Sequence, residues 1–187
     1  SVKFEFNITS GTGTFQGSGF EIGPSTTPNP SDDSMSLDLR ASATGISLRG
    51  LKVSYTTLKI DSDAVIESCT FTHNSDNDGS EEPSFSPESG NIIMSSCFFT
   101  KDQGSPAIGV IGGTLNINGC VLTSTNSGNK SLIKMASGGD GRLILRGSTV
   151  SGSGEYPISI HVKFSAQTQT TPHIIENVLL IGKIDAD

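Results

Sequence analysis

Oxygen-bearing side chains are concentrated in one short segment of the sequence. Asn74, Asp76 and Asp78 occupy alternate positions, a glycine follows them, and Glu82 closes the segment. This spacing is typical of the first half of a calcium-binding loop, in which carboxylate and amide oxygens surround the ion. The Glu that usually completes such a loop at its twelfth position is replaced by Phe85. These four residues are therefore a candidate calcium site, the leading interpretation of the segment is a hydrated acidic loop, and no cofactor other than calcium is expected.

Paired carboxylates are the groups that cleavage of a glycosidic bond would require. Asp61 and Asp63 have the spacing of residues that face the same side of a strand, and Asp185 and Asp187 repeat it. Outward charges on a solvated strand explain both pairs without any chemistry. We therefore expect no catalytic residue and no enzymatic activity.

The charge balance excludes several classes of partner. Lys+Arg 12 against Asp+Glu 19 gives a formal net charge of −7, and no basic cluster is present. We therefore expect neither nucleic acid nor an anionic membrane surface as a partner. No apolar run approaches the roughly 18 residues of a membrane-spanning helix, so no membrane insertion is expected. About a quarter of the positions are Ser or Thr, which favours an extracellular or cell-surface location.

Two glycosylation sequons fit that location, at Asn7 and Asn129. Sequons arise by accident in a chain so rich in Ser and Thr, so these two residues are permissive sites for glycans. The first residues carry neither an initiator Met nor a basic and apolar signal pattern. We therefore expect a processed chain or a segment of a longer one.

Short alternating runs of apolar and polar residues recur along the whole chain, as at residues 2–8, 115–117 and 143–145. Each run is bounded by Gly, Ser, Asn or Pro, which is typical of many short β-strands. Gly and Ser interrupt every window in which a helix would need a sustained i, i+3, i+4 apolar stripe. The sequence therefore predicts an all-β fold.

Six segments of nine residues align without gaps, and they begin at Ile46, Ala64, Ile92, Leu115, Leu143 and His173. The sixth residues form what we call the reference column: Leu51, Cys69, Cys97, Cys120, Ser148 and Val178. Three positions before this column and two positions after it, every segment is apolar. The residue just before the column, here called the corner position, is always Gly, Ser or Asn. Such self-similarity indicates a repeat architecture.

The corner position interrupts the period-2 alternation, so the inward face changes parity and the strand must bend there. Gly and Asn tolerate the left-handed backbone that suits such a bend. Each repeat is therefore predicted to contain two short strands that meet at a corner. A third strand is predicted before them in most repeats, at residues 37–39, Phe85, 107–110, 132–134 and 158–162.

Three short strands per repeat predict a single-stranded right-handed parallel β-helix, a solenoid of about six to eight coils with irregular inter-coil loops. Residues 1–45 are predicted to form one or more N-terminal coils with a Pro-rich loop. Residues 46–187 are predicted to form the β-helix repeats, as a fragment of a longer solenoid. A β-sandwich or Greek-key barrel would explain the density of strands but not the repeated motif.

Like residues stack on like in such a solenoid, because successive coils pair in parallel about 4.8 Å apart. The reference column then places its three cysteines inside, where a free thiol behaves as a small apolar residue. An odd cysteine count without a C-x-x-C pair agrees with this. The predicted structural core ladder is formed by Cys69, Cys97, Cys120, Phe71, Phe99 and Ile117.

The segment from Cys69 to Asn74 reads C-x-F-x-x-N and resembles the repeat of polymorphic outer-membrane-protein β-helices. The companion GGA[ILV] element of that family is replaced by sequences such as Gly112-Gly-Thr-Leu115. In rhythm the chain is also similar to the pectate-lyase-like β-helix superfamily. The first group contains surface and adhesion proteins, and the second includes polysaccharide lyases and hydrolases.

This resemblance implies two functions for the chain. The leading expectation is an extracellular structural or adhesive segment of a larger surface or filament protein, with no catalytic site. Because open coil ends expose parallel strand edges, its expected partners are further coils of the same protein or neighbouring copies, with glycans as a further candidate. The alternative is a carbohydrate-active β-helix, either a polysaccharide lyase or hydrolase or a glycan-binding module.

Overall fold

The computed structural model describes residues 2–8, 13–16, 21–22, 35–41, 45–54, 56–73, 85–101, 107–124, 132–135, 140–152, 158–160, 172–182 and 184–186. Every regular element among these residues is a β-strand, and none of them lies in a helix. The prediction of an all-β chain is therefore confirmed.

The described strands follow one another in sets of three, one strand in each of three sheets that we call A, B and C. In chain order the sets are β1 (Val2–Ile8), β2 (Gly13–Gln16), β3 (Glu21–Ile22); β4 (Met35–Ala41), β5 (Ile46–Arg49), β6 (Lys52–Ser54); β7 (Thr56–Asp61), β8 (Ala64–Glu67), β9 (Thr70–His73); β10 (Phe85–Ser89), β11 (Asn91–Ser95), β12 (Phe98–Lys101); β13 (Ile108–Val110), β14 (Thr114–Asn118), β15 (Val121–Ser124); β16 (Ile133–Met135), β17 (Arg142–Arg146), β18 (Thr149–Gly152); β19 (Ile158–Ile160), β20 (Ile174–Glu176), β21 (Leu179–Ile181); and finally β22 (Ile184–Ala186).

Each strand pairs with the strands three places earlier and later in the chain. Sheet A runs β1-β4-β7-β10-β13-β16-β19-β22, sheet B runs from β2 to β20, and sheet C runs from β3 to β21. All of these pairs are parallel. A parallel pair needs a crossover that returns the chain to the same end, and here the other two sheets provide it. This arrangement is compatible with a parallel β-helix.

The register of the sheets confirms the alignment of the six segments. In sheet B one continuous inward column carries an apolar residue at every level: Leu48, Ile66, Met94, Ile117, Leu145 and Ile175. In sheet C the column two positions after the reference column does the same: Val53, Phe71, Phe99, Leu122, Val150 and Leu180. A shift of one residue would turn these side chains to the outer face, so burial fixes the register.

The predicted corners have a left-handed backbone in all six aligned segments. The corner residues are Gly50, Ser68, Ser96, Gly119, Gly147 and Asn177, with φ between 53° and 64°. In five successive steps the corner N–H donates to a carbonyl of the next coil at 3.0–3.2 Å, as from Ser96 to Asn118. The corner is therefore included in the hydrogen-bonded ladder and does not interrupt it.

One buried apolar cluster lies between the three sheets, with Ile60 of sheet A, Ile66 of sheet B and Phe71 of sheet C as members. The ring of Phe71 also contacts that of Phe85 across sheets C and A, with the centroids 6.2 Å apart. Because all three sheets contribute to one core, burial of apolar surface couples them energetically.

Two strands of the first coils were not predicted. The pairs Phe15 with Leu48 and Ile22 with Val53 add β2 to sheet B and β3 to sheet C in the same register. Four residues separate Gln16 from Glu21, where two separate Arg49 from Lys52, so an alignment without gaps cannot include these two strands.

The five predicted third strands are confirmed as β4, β10, β13, β16 and β19. The equivalent strand β7 was missed.

Candidate functional site

The residues predicted to bind calcium, Asn74, Asp76, Asp78 and Glu82, lie outside the described residues. The same is true of the sequon residue Asn129. Asn7 lies on β1, where its backbone is the partner of Arg40 on β4. Calcium binding and glycosylation therefore stay predictions. Within the described ranges, no group of three His, Cys, Asp or Glu residues could hold a metal ion.

The three cysteines lie inside the fold as free thiols, one above another on successive levels of the reference column. Cys69 and Cys97 have no exposed surface, and Cys120 is 1% exposed. Hydrogen bonds with Cys120 and Cys69, together with burial, raise the pKa of the Cys97 thiol. This thiol is therefore neutral at physiological pH, as expected for an inert core residue.

The Cys and Ser side chains of the reference column hydrogen-bond to the backbone at their corners. Each thiol donates to the carbonyl two residues earlier, as from Cys120 Sγ to Asn118 O at 3.4 Å. The same sulfur accepts the N–H of Cys97 in the preceding coil at 3.4 Å. One side chain thus accepts the buried N–H of Cys97 and supplies a second donor to the carbonyl of Asn118, which also accepts the corner N–H of Ser96.

Ser148 has the equivalent role in the next coil. Its hydroxyl donates to Arg146 O at 2.8 Å and accepts the N–H of Cys120 at 3.1 Å. Ser148 is only 2% exposed, so its hydroxyl is a buried polar group with both kinds of partner. From Cys69 to Ser148 the four consecutive members of this column are small side chains that both donate and accept, as Cys and Ser can, whereas Leu51 and Val178 are apolar.

The remaining members of the predicted core ladder are also buried. The rings of Phe71 and Phe99 stack with centroids 4.4 Å apart and an angle of 5° between their planes. Each ring is 1% exposed, and Ile117 has no exposed surface. These contacts repeat the interstrand spacing of the sheet, which is about 4.8 Å.

The two carboxylates considered as a catalytic pair are bound to the neighbouring coil. Ser89 Oγ donates to Asp61 Oδ1, and the N–H of Asn91 donates to Asp63 Oδ1 at 2.8 Å. Asp61 and Asp63 therefore anchor the turn between β10 and β11. The corresponding Asp187 lies outside the described residues.

The outer face of sheet B carries a shallow depression of about 290 Å³. Its lining includes the apolar Val65 and Ile93 and the polar Arg49, Asp63 and Asn91. Arg49 is already paired with Glu67 at 3.2 Å. The depression therefore combines apolar and polar lining residues, and Arg49 already has a charged partner.

Two polar residues have positions that sequence reasoning missed. Lys101 is 1% exposed although it carries an amine, and it interacts with other groups of the fold. Lys101 lies four residues after Cys97, at a position that faces inward by the alternation of its strand, so the sequence alone could have predicted its burial.

His173 accepts the N–H of Leu143 at Nδ1 over 3.1 Å. Burial and, secondarily, the charge of Arg142 lower the pKa of His173.

No helix of the described ranges is long and apolar enough to cross a membrane. Comparison of the chain with protein-family models, with curated proteins and with solved structures gave no significant match.

Proposed function

We propose that the three sheets are the faces of one right-handed parallel β-helix of the kind found in polymorphic outer-membrane and pectate-lyase-like proteins. Pairing of every strand with the third one along, and a core shared by all sheets, support a single solenoid. Right-handedness follows from the general rule that crossovers between parallel strands of one sheet are right-handed in about 98% of cases.

The proposed function is that of a structural or adhesive segment of a larger extracellular surface or filament protein, with no catalytic site. The observation that carries it is the uniform corner: the same two backbone hydrogen bonds recur over five successive steps. A chain built from one repeated step gains length by adding coils and displays its loops along one axis. Its partners would be further coils of the same protein or neighbouring copies.

Duplication of one coil tests the solenoid. A second copy of residues 98–120 inserted after Cys120 is expected to lengthen the particle by about 4.8 Å without unfolding it, measured by small-angle X-ray scattering. The matched control carries the same inserted residues in scrambled order and is expected to unfold. Loss of folding in both variants would contradict the proposal.

Imaging by cryo-electron microscopy of material from the native source tests the role. The chain is expected within a continuous surface layer or filament with adjoining coils. An isolated particle with sugar-degrading activity would overturn the structural role and support the carbohydrate-active alternative.

A glycan-binding surface is the second candidate function, favoured by the depression between β5, β8 and β11. Its lining combines apolar residues with a few polar ones, as small-molecule sites do. Titration with neutral and acidic polysaccharides tests it, with Val65→Asp as the variant and Val121→Asp on sheet C as the control. Binding that both substitutions leave unchanged would exclude this surface.

A further inference from the structure

The outward face of sheet B carries charges whose sign changes along the sheet. Its outward positions lie two, four and six residues before the reference column, in register from β5 to β20. On these six described strands and the residues just before them, the charged outward side chains are Arg49 (β5), Asp63 and Glu67 (β8), Arg142 and Arg146 (β17) and Glu176 (β20). The two middle strands, β11 and β14, present only uncharged residues on this face. Acidic and basic rows therefore lie on opposite sides of a neutral centre.

Four of these charges form two ion pairs that remain accessible. Arg49 and Glu67 are 3.2 Å apart, with side chains 52% and 40% exposed. Arg146 and Glu176 are 2.8 Å apart, with side chains 41% and 50% exposed. In both pairs the basic residue lies on the earlier strand. Turning one pair over therefore places each acid of one pair against a base of the other.

The whole face is self-complementary in charge when a second copy is turned over about an axis along the strands, midway between β11 and β14. This axis places β5 on β20, β8 on β17 and β11 on β14 of the other copy. Three kinds of opposite-charge contact result, each occurring twice: Arg49 with Glu176, Glu67 with Arg146, and Asp63 with Arg142. Every charged row of the face thus meets a row of opposite sign.

Other symmetric arrangements of this face bring like charges together. A two-fold axis along the stacking direction would place Asp63 against Glu67. The same axis would place Arg142 against Arg146. Moving the first axis by half a level onto β11 would place Arg49 opposite Arg146. Since juxtaposed like charges suppress association, the charge pattern selects the axis between β11 and β14.

We propose that the outward face of sheet B binds a second copy of this chain, face to face and with the two stacking directions opposed. The strands of the two sheets stay aligned, which is a common way for sheets to pack. Val65 meets Ile144 in this arrangement, and Ile93, which is 37% exposed, is covered by Asn116. The inference deepens the proposed structural role, on which it rests, by naming the lateral contact between neighbouring copies.

The size of the face sets the strength of this contact. Six strands about 4.8 Å apart, each contributing five residues of about 3.3 Å, span about 24 Å by 16 Å, or about 400 Å² per copy. Standard stable interfaces bury about 800 Å² per partner, so the contact belongs to the weak and reversible class. Charge register, more than buried area, therefore determines which surface is recognised.

Complementation between two charge-reversal variants tests the proposal. Glu67→Lys and Arg146→Glu each make two symmetry-related contacts repulsive, so each variant alone is expected to dimerise about tenfold more weakly than the unchanged chain. An equimolar mixture is expected to regain most of the lost affinity. The new lysine of one variant then meets the new glutamate of the other, and the retained Glu67 and Arg146 meet each other. Sedimentation equilibrium measures the dissociation constant in each case.

Lys52→Glu is the matched control, because Lys52 is exposed on the outward face of sheet C. This reversal is expected to leave the dissociation constant unchanged. All the substituted side chains are exposed or half-buried, so circular dichroism is expected to show folded variants. Arg49→Glu and Glu176→Lys form a second complementary pair, for which the same restoration on mixing is expected.

Three outcomes would each overturn the proposal: an unchanged chain that is monomeric at about 1 mM, a mixture that associates no better than its components, and equal weakening by Lys52→Glu. Dimers that neither pair of reversals weakens would show a different contact and overturn it as well. A failure here leaves the lengthening by coil duplication intact. Failure of that lengthening would instead remove the solenoid and the structural role on which the lateral contact rests.

Discussion

A substitution at a corner position can measure how much the left-handed backbone alone contributes to the free energy of unfolding. Gly119 has φ 57°, and a Cβ placed on it would meet no atom within 4 Å. Gly119→Ala is therefore expected to lower the free energy of unfolding by about 1–2 kcal/mol through the left-handed backbone alone. Urea denaturation measures this change, with Ser95→Ala on the neighbouring coil as a control at ordinary φ. A neutral Gly119→Ala would contradict the assigned corner.

At Cys120 the reference column requires hydrogen bonding as well as a small apolar volume. Cys120→Ser keeps both a donor and an acceptor, as Ser148 does, whereas Cys120→Val leaves the buried N–H of Cys97 without its partner. We expect the valine variant to be less stable than the serine variant by about 1–3 kcal/mol, the usual effect of an unsatisfied buried donor. Thermal and urea unfolding measure the difference, and the reverse order would disprove the hydrogen-bonding role.

His173 makes the last aligned coil sensitive to acid. Its folded-state pKa is lowered by burial and by Arg142, so the folded chain binds fewer protons than the unfolded chain below the ordinary value of 6.5. The stability is therefore present in full above pH 6.5 and is lost as pH falls towards the folded-state pKa. Comparison of unfolding curves between pH 7.5 and 5 is expected to show this loss in wild type and less of it in His173→Gln.

At the scale of elements, two adjacent phenylalanines on β12 lie on opposite faces of the strand, one inward and one outward. Phe99 is 1% exposed and stacks on Phe71, whereas Phe98 is 53% exposed. Phe99→Ala is expected to destabilise the fold by about 3–5 kcal/mol, as large-to-small core substitutions do. Phe98→Ala should change the stability by less than about 1 kcal/mol. Similar values for both variants in urea denaturation would show that the strand parity is wrong.

Much of this pattern of strands and corners was predictable because stacking requires the same type of residue at the same position of each repeat. Each repeat needs apolar residues around the reference column and a small residue at the corner, so these residue types recur in all six aligned segments. Strands β2 and β3 were not aligned because four residues separate them in the sequence, where two separate β5 from β6. The hydrogen bonds of Asp61 and Asp63 were not predicted, because they depend on which residues of the neighbouring strands lie opposite.

At the scale of the whole molecule, the proposed solenoid predicts that stability varies along its axis, because each coil of a solenoid contacts only its neighbours. Strand β14 is paired on both sides and its inward residues Leu115 and Ile117 are fully buried. Among the described strands β20 pairs with β17 alone, and Ile175 is 36% exposed. Local opening therefore exposes far less buried surface at β20 than at β14.

Amide hydrogen exchange under native conditions measures that gradient directly. The amides of β14 are expected to exchange only through opening of the central coils, and those of β20 much faster, through fraying of one coil. Phe99→Ala should accelerate exchange in β14, because it weakens an adjoining interface, and should change β20 little. Uniform protection from β14 to β20 would instead mean that the coils unfold as one unit, which is incompatible with stability built up step by step along a solenoid.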